Sequence, residues 1–144
     1  MERRLARRYV AKVMNAMLRA SALFFALCVP GFAAAVEYDC NVAKKVDSEA
    51  SYTAQQLEKG KFSVKIEEAG EATFVSRCSF KPSSSKVTCD RYQVEKVVFD
   101  ENVKIKKYYV FRSQFDVQLF PDLSFLENNG RGGIAYGKCR VVAP

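Results

Sequence analysis

Lys61-Phe62-Ser63-Val64-Lys65-Ile66-Glu67 is a stretch with a period of two. Phe62, Val64 and Ile66 alternate with Lys61, Lys65 and Glu67. Successive side chains of a strand point to opposite faces, so this pattern predicts a half-buried β-strand. The rest of the chain repeats it. Ala69-Gly70 makes a turn, and Phe74 to Phe80 and Val87 to Phe99 read as the next strands, joined through Pro82-Ser83-Ser84-Ser85. Val103 to Arg112 is rich in β-branched and aromatic residues. Phe115, Val117 and Leu119 alternate again, and Leu123 to Leu126 and Ile134 to Val142 complete the series.

Upstream of Lys61, Glu37 to Val46 reads as a first strand carrying Cys40. Asp47 to Lys59 reads as a polar connection holding one short helix near residues 53–59. Thr53 can cap that helix with Gln56 at the capping-box spacing, and Gly60 is expected to end it. Three turns suggest registers. Ser83-Ser84 as a hairpin tip sets residue 78 opposite 89 and Phe80 opposite Val87. Asn129-Gly130 is a strong hairpin signal and would set Phe125 opposite Ile134 and Leu123 opposite Tyr136; Gly132-Gly133 beside it could host a bulge instead. A two-residue loop at Glu101-Asn102 would pair Val98 with Ile105, Val94 with Tyr109 and Tyr92 with Phe111, at the expense of setting Lys96 against Lys107. The expected fold is all-β: a small antiparallel meander of about seven or eight strands, forming a barrel or a two-sheet sandwich.

Residues 1–35 carry a different pattern. Arg3, Arg4, Arg7, Arg8, Lys12 and Arg19 precede the apolar run Ala20 to Val29, and Pro30-Gly31 leads to Ala33-Ala34-Ala35. Basic region, short apolar core and small-residue site in that order are the secretory signature, with cleavage expected after Ala35. The run is too short for a membrane anchor, so no stable span is expected after cleavage. Arg7-Arg8 also resembles loosely a twin-arginine export signal. The expected organisation is a cleavable signal over 1–35 and one domain over 36–144, periplasmic or secreted.

Cleavage changes the charge. The whole chain has a formal net charge of +7; removing six basic residues and one acid leaves 17 Lys/Arg and 15 Asp/Glu, a net of +2. The basicity therefore belongs mostly to the export segment, and no nucleic-acid partner is expected. Four cysteines remain, Cys40, Cys78, Cys89 and Cys139. An even count in a small exported domain predicts two disulfides. Cys78 and Cys89 fall opposite each other across the Ser83-Ser84 hairpin. Cys40 and Cys139 lie near the two ends of the domain, on strands that become neighbours if the meander closes.

Several chemistries are excluded or disfavoured. The chain has no histidine, so a Ser-His-Asp or Cys-His arrangement cannot form, and the usual zinc sites lack their ligands. Gly130-Arg131-Gly132-Gly133 lacks the strand-loop-helix context of a phosphate loop. No catalytic residue, metal or cofactor is assigned. Two segments remain as candidate binding elements. One is Lys104-Ile105-Lys106-Lys107-Tyr108-Tyr109-Val110-Phe111-Arg112, from which Lys104, Lys106 and Tyr108 share one strand face. The other is the Asn128 to Gly133 loop, with Arg131 as an exposed anchor.

The layout of signal peptide, about 110 residues and two disulfides is similar to that of small exported β-barrel inhibitors of lysozyme. Their Ser-Gly then Tyr binding-loop pattern is absent, and Gly132-Gly133-Ile134-Ala135-Tyr136 is its nearest counterpart here. Such a resemblance implies inhibition of a secreted hydrolase. The residues themselves favour a non-enzymatic exported β-domain that binds a protein or an envelope polymer. A small-ligand carrier fits less well, because so short a barrel fills its interior with side chains.

Overall fold

The computed structural model describes residues 35–142; the export segment read over 1–35 lies, but for Ala35, outside the described residues. Among the described residues there are nine strands: β1 (Val36–Val46), β2 (Ser63–Ala69), β3 (Ala72–Lys81), β4 (Lys86–Gln93), β5 (Lys96–Asp100), β6 (Ile105–Val110), β7 (Phe115–Leu119), β8 (Ser124–Asn128) and β9 (Ile134–Val142). One helix, α1 (Ala54–Gly60), links β1 to β2. All nine strands belong to one antiparallel sheet in the order β4-β3-β2-β1-β9-β8-β7-β6-β5. The sheet curls into a half-barrel, so the barrel-like form of the expectation holds and the sandwich does not.

The first and last strands are neighbours, as a closing meander requires. Cys40 stands opposite Cys139 in the β1–β9 ladder and bonds to it, and Cys78 stands opposite Cys89 in the β3–β4 ladder and bonds to it. Both expected disulfides are present. The first lies inside the apolar core with Val64, Ile66, Val75, Val117 and Phe125. These residues alternate along their strands, which is why one sheet face buries them together.

The sheet opens between β4 and β5 rather than between β1 and β9. The expected single strand from Val87 to Phe99 is split at Val94-Glu95. The Val94 N–H donates to the Thr73 carbonyl and the Glu95 N–H to the Tyr109 carbonyl. Within two residues the chain leaves the β3 edge and joins the β6 edge, so both rims of the sheet belong to one nearly continuous stretch.

Other boundaries and two registers differ from expectation. Thr53 and Gln56 form the reciprocal capping box, but Lys61, not Gly60, takes the left-handed position that stops α1 (φ 45°). Gly60 is instead where the Phe62 ring packs against the backbone, with ring atoms within 3 Å of any added Cβ. The β5–β6 pairing is displaced by two residues: Val98 faces Lys107 and Asp100 faces Ile105. The Asp100 carboxylate accepts from the Asn102 and Val103 N–H groups, which stabilises a longer turn and moves Lys96 from Lys107 to Tyr109. The β8–β9 pairing is displaced by three. Phe125 faces Gly137 and Asn128 faces Ile134, because the connection is a five-residue loop closed by an Asn129 N–H to Gly133 carbonyl bond.

Two polar ties bridge the concave side. Arg77 of β3 meets Glu127 of β8 at 2.7 Å. Three strands separate these in the sheet, so the pair spans the interior. Toward the other end, Glu68 of β2 accepts from Lys106 Nζ at 2.9 Å and from the Tyr108 hydroxyl at 2.7 Å, both on β6. Between the ties lies the apolar core.

Candidate functional site

Beside β4, between β3, the β6–β7 turn and the β8–β9 loop, lies a cleft of about 370 Å³ lined by Arg77, Tyr92, Arg112, Ser113, Asn129 and Arg131. It continues inward past Lys45, Glu127 and Ile134. Each arginine arrives on a different element. Arg77 sits on β3, on the same face as Val75, and its guanidinium lies 5.0 Å from the Phe115 ring centroid. Arg112 lies in the 3₁₀ turn Phe111–Ser113 that joins β6 to β7. Arg131 lies at the tip of the β8–β9 loop.

The supports of this cleft are local and well defined. The Glu95 carboxylate accepts from the Phe111 and Arg112 N–H groups at 2.8 and 3.3 Å. An anion at those free donors stabilises the start of the turn, so Glu95 fixes the backbone that carries Arg112. The Arg112 side chain itself is almost fully exposed and reaches Glu95 only at 3.5 Å. In the β8–β9 loop, Asn128 Oδ1 accepts from the Gly130 N–H, and Asn129 Oδ1 accepts from the Arg131 and Gly133 N–H groups. The loop backbone is thereby tied down while the Arg131 side chain has no ion-pair partner among the described residues. Tyr92 packs edge-on against Phe115 at 5.0 Å and forms an aromatic wall.

The electrostatics differ between mouth and floor. The mouth has three guanidinium groups and no carboxylate among its lining residues. On the floor, the Glu127 side chain is 8% exposed. Burial pushes its carboxyl above the usual carboxylate range, opposed by the Arg77 and Lys45 charges. Lys45 is itself placed over the Phe62 and Tyr52 rings at 4.2 and 4.7 Å, a cation–π arrangement. Arg77 offsets Glu127 on the floor and Arg112 borders Glu95, so the positive charge left without a carboxylate partner at the mouth is that of Arg131. Such a surface suits an anionic group, which two guanidinium forks can engage with paired hydrogen bonds.

The residues singled out from sequence are not brought together. Arg131 lies at the cleft mouth. Lys104 lies in the β5–β6 turn at the opposite end of β6, paired with Glu101 at 3.0 Å. Lys106 points inward to Glu68. Tyr108 is completely buried, so its hydroxyl serves the interior tie and its ring the core. Of the basic-aromatic run, only Arg112 reaches the cleft. Arg77, Tyr92 and Glu127 were not anticipated, yet a signal for two of them exists. Strand alternation puts Arg77 in step with Val75 and Glu127 in step with Phe125, a charge on each apolar face. Among the described residues, no group of acids and cysteines is arranged to hold a metal ion, and no helix is long and apolar enough to cross a membrane. Two disulfides point to an oxidising, exported compartment. Comparison of the chain with protein-family models, with curated proteins and with solved structures finds no match in any of the three.

Proposed function

We propose that the mature chain is a non-enzymatic binding module, periplasmic or secreted, that takes an anionic stretch of another macromolecule, a protein or an envelope polymer, into the arginine cleft. The observation that carries this reading is the convergence of Arg77, Arg112 and Arg131 from three separate elements on one opening without a lining carboxylate. Arg131 has no ion-pair partner among the described residues and the almost fully exposed Arg112 meets Glu95 only at 3.5 Å, while the loop and turn backbones behind them are held by Asn129 and Glu95. The interior carboxylate nearest the cleft, Glu127, is committed to Arg77, and the chain offers no histidine as a base. These features support binding over turnover.

The test is titration of the purified, disulfide-bonded protein with polyglutamate and with a polyuronate at about 0.15 M salt, where long-range attraction is largely screened. The expected result is saturable binding of at least one polymer, weakened about tenfold or more in the double variant Arg112→Gln/Arg131→Gln. Equal binding by wild type and double variant, or none by either, sinks the reading. A protein captured from envelope extract only by the wild type, and losing hydrolytic activity on capture, would redirect it to inhibition of a secreted hydrolase.

A further inference from the structure

The two rims of the half-barrel are built differently. β4 exposes Lys86, Asp90, Arg91 and Gln93 along its length, with Val87 its one exposed large apolar residue, and charges of this kind discourage another strand from pairing with a free edge. β5 is Lys96-Val97-Val98-Phe99-Asp100, with three successive apolar residues at its centre. Its inner neighbour is β6, and its outer edge has no strand partner among the described residues. Val97 faces Tyr108 and Phe99 faces Lys106 across the β5–β6 ladder. Tyr108 and Lys106 point into the interior, so Val97 and Phe99 do too. Yet Val97 is 43% and Phe99 46% exposed, because the sheet stops there. An unpaired edge and two uncovered apolar side chains on the concave face occur at the same place.

The sequence of β5 identifies the occupant. Two sheets joined edge to edge by an antiparallel pair, with their concave faces on the same side, are related by a two-fold axis through one residue of the strand. With the axis at Val98, Lys96 faces Asp100 of the second copy, Val97 faces its Phe99, and Val98 faces Val98. Charge meets opposite charge twice on the outer face, and apolar meets apolar twice on the inner face. Moving the axis to Val97 sets Lys96 against Val98; moving it to Phe99 sets Lys96 against Asn102. Neither alternative pairs a charge with its opposite. We propose that β5 pairs antiparallel with β5 of a second copy of this chain about a two-fold axis at Val98, joining two half-barrels into one continuous sheet. The surface is separate from the arginine cleft, and the inference does not depend on what the cleft binds.

A five-residue edge pair is small, so the dimer is a reversible, concentration-dependent one. The exposed Lys96–Asp100 pairs contribute little affinity themselves; they select the register and the partner. Sedimentation of the purified, disulfide-bonded protein from about 1 μM to about 1 mM should show a monomer–dimer equilibrium. Lys96→Asp sets one aspartate against each Asp100, two like-charged pairs in the dimer, and should weaken it tenfold or more, with an unchanged far-ultraviolet dichroism spectrum. Amide exchange of wild-type residues 96–100 provides a check without mutation: it should slow as concentration rises, while β4 exchange stays constant. A monomer throughout the concentration range overturns the proposal. So does a dimer indifferent to Lys96→Asp, or one in which concentration protects β4 instead of β5.

Discussion

At Gly137 the sheet has no room for a side chain. A Cβ there would lie 1.9 Å from the Asn41 carbonyl oxygen and 2.6 Å from the Phe125 ring. Phe125 is 2% exposed and one of the largest fully buried side chains. Gly137 therefore gives the Phe125 ring its place beside the Cys40–Cys139 bond. Gly137→Ala should push both neighbours and cost about 1–3 kcal/mol, the usual range for overpacking. Gly70 supplies the comparison. It lies in the β2–β3 turn at φ +59° with nothing within 4 Å of an added Cβ, so Gly70→Ala meets only backbone strain, of order 1 kcal/mol. Denaturant unfolding of both variants should rank Gly137→Ala as the greater loss. An equal or reversed order would show that the ring and backbone at Gly137 move aside freely.

The strands show which pairings short-range signals decide. In β3–β4 both the tip at Ser83-Ser84 and the opposition of Cys78 to Cys89 were legible, because the turn is short and two cysteines must meet. In β8–β9 the Asn-Gly signal located the turn but not its length. The side chains of Asn128 and Asn129 close a larger loop, and the register moved by three. In β5–β6 one Asp100 capping interaction shifted the pairing by two. The split at Val94-Glu95 left no local mark, since it follows from which sheet edge is free, a property of the whole curl. The cleft suffered for the same reason. Arg131 was visible as a loop tip, whereas Arg77 and Arg112 join it only once the sheet curls. The disulfides carry a prediction at this scale. Cys40–Cys139 closes a span of 99 residues and Cys78–Cys89 one of 11. In the chain-entropy account these are worth about 4.7 and about 2.8 kcal/mol. The longer one is also buried in the core, while Cys89 is exposed at the β4 edge. Cys139→Ser should therefore lower the melting temperature more than Cys89→Ser. A larger loss for Cys89→Ser would mean that holding the β3–β4 hairpin matters more than holding the two chain ends together.

A nine-stranded sheet that does not close by a continuous ladder needs another means of keeping its curl, and the two interior ties supply it. Arg77–Glu127 draws β3 toward β8, and Glu68 with Lys106 and Tyr108 draws β2 toward β6. The second tie has a built-in pH limit. Tyr108 is fully buried and donates its hydroxyl proton to Glu68. Burial, and then the Glu68 carboxylate, hold its phenol far above the ordinary tyrosine value of 10.0. Folding therefore keeps a proton that the unfolded chain gives up once the pH passes about 10. Below that value both states are protonated and the tie contributes fully. Above it the unfolded state binds fewer protons than the native state, so stability falls as pH rises. Tyr108→Phe removes the hydrogen bond, costing about 0.5–1.5 kcal/mol at neutral pH, and removes the titrating group as well. Melting temperatures from pH 8 to 11 should thus start lower in the variant and fall less steeply, so that the two curves converge at the alkaline end. Parallel curves would show that Tyr108 ionises as readily in the folded chain as in the unfolded one, and that the interior tie is not what limits the fold in alkali.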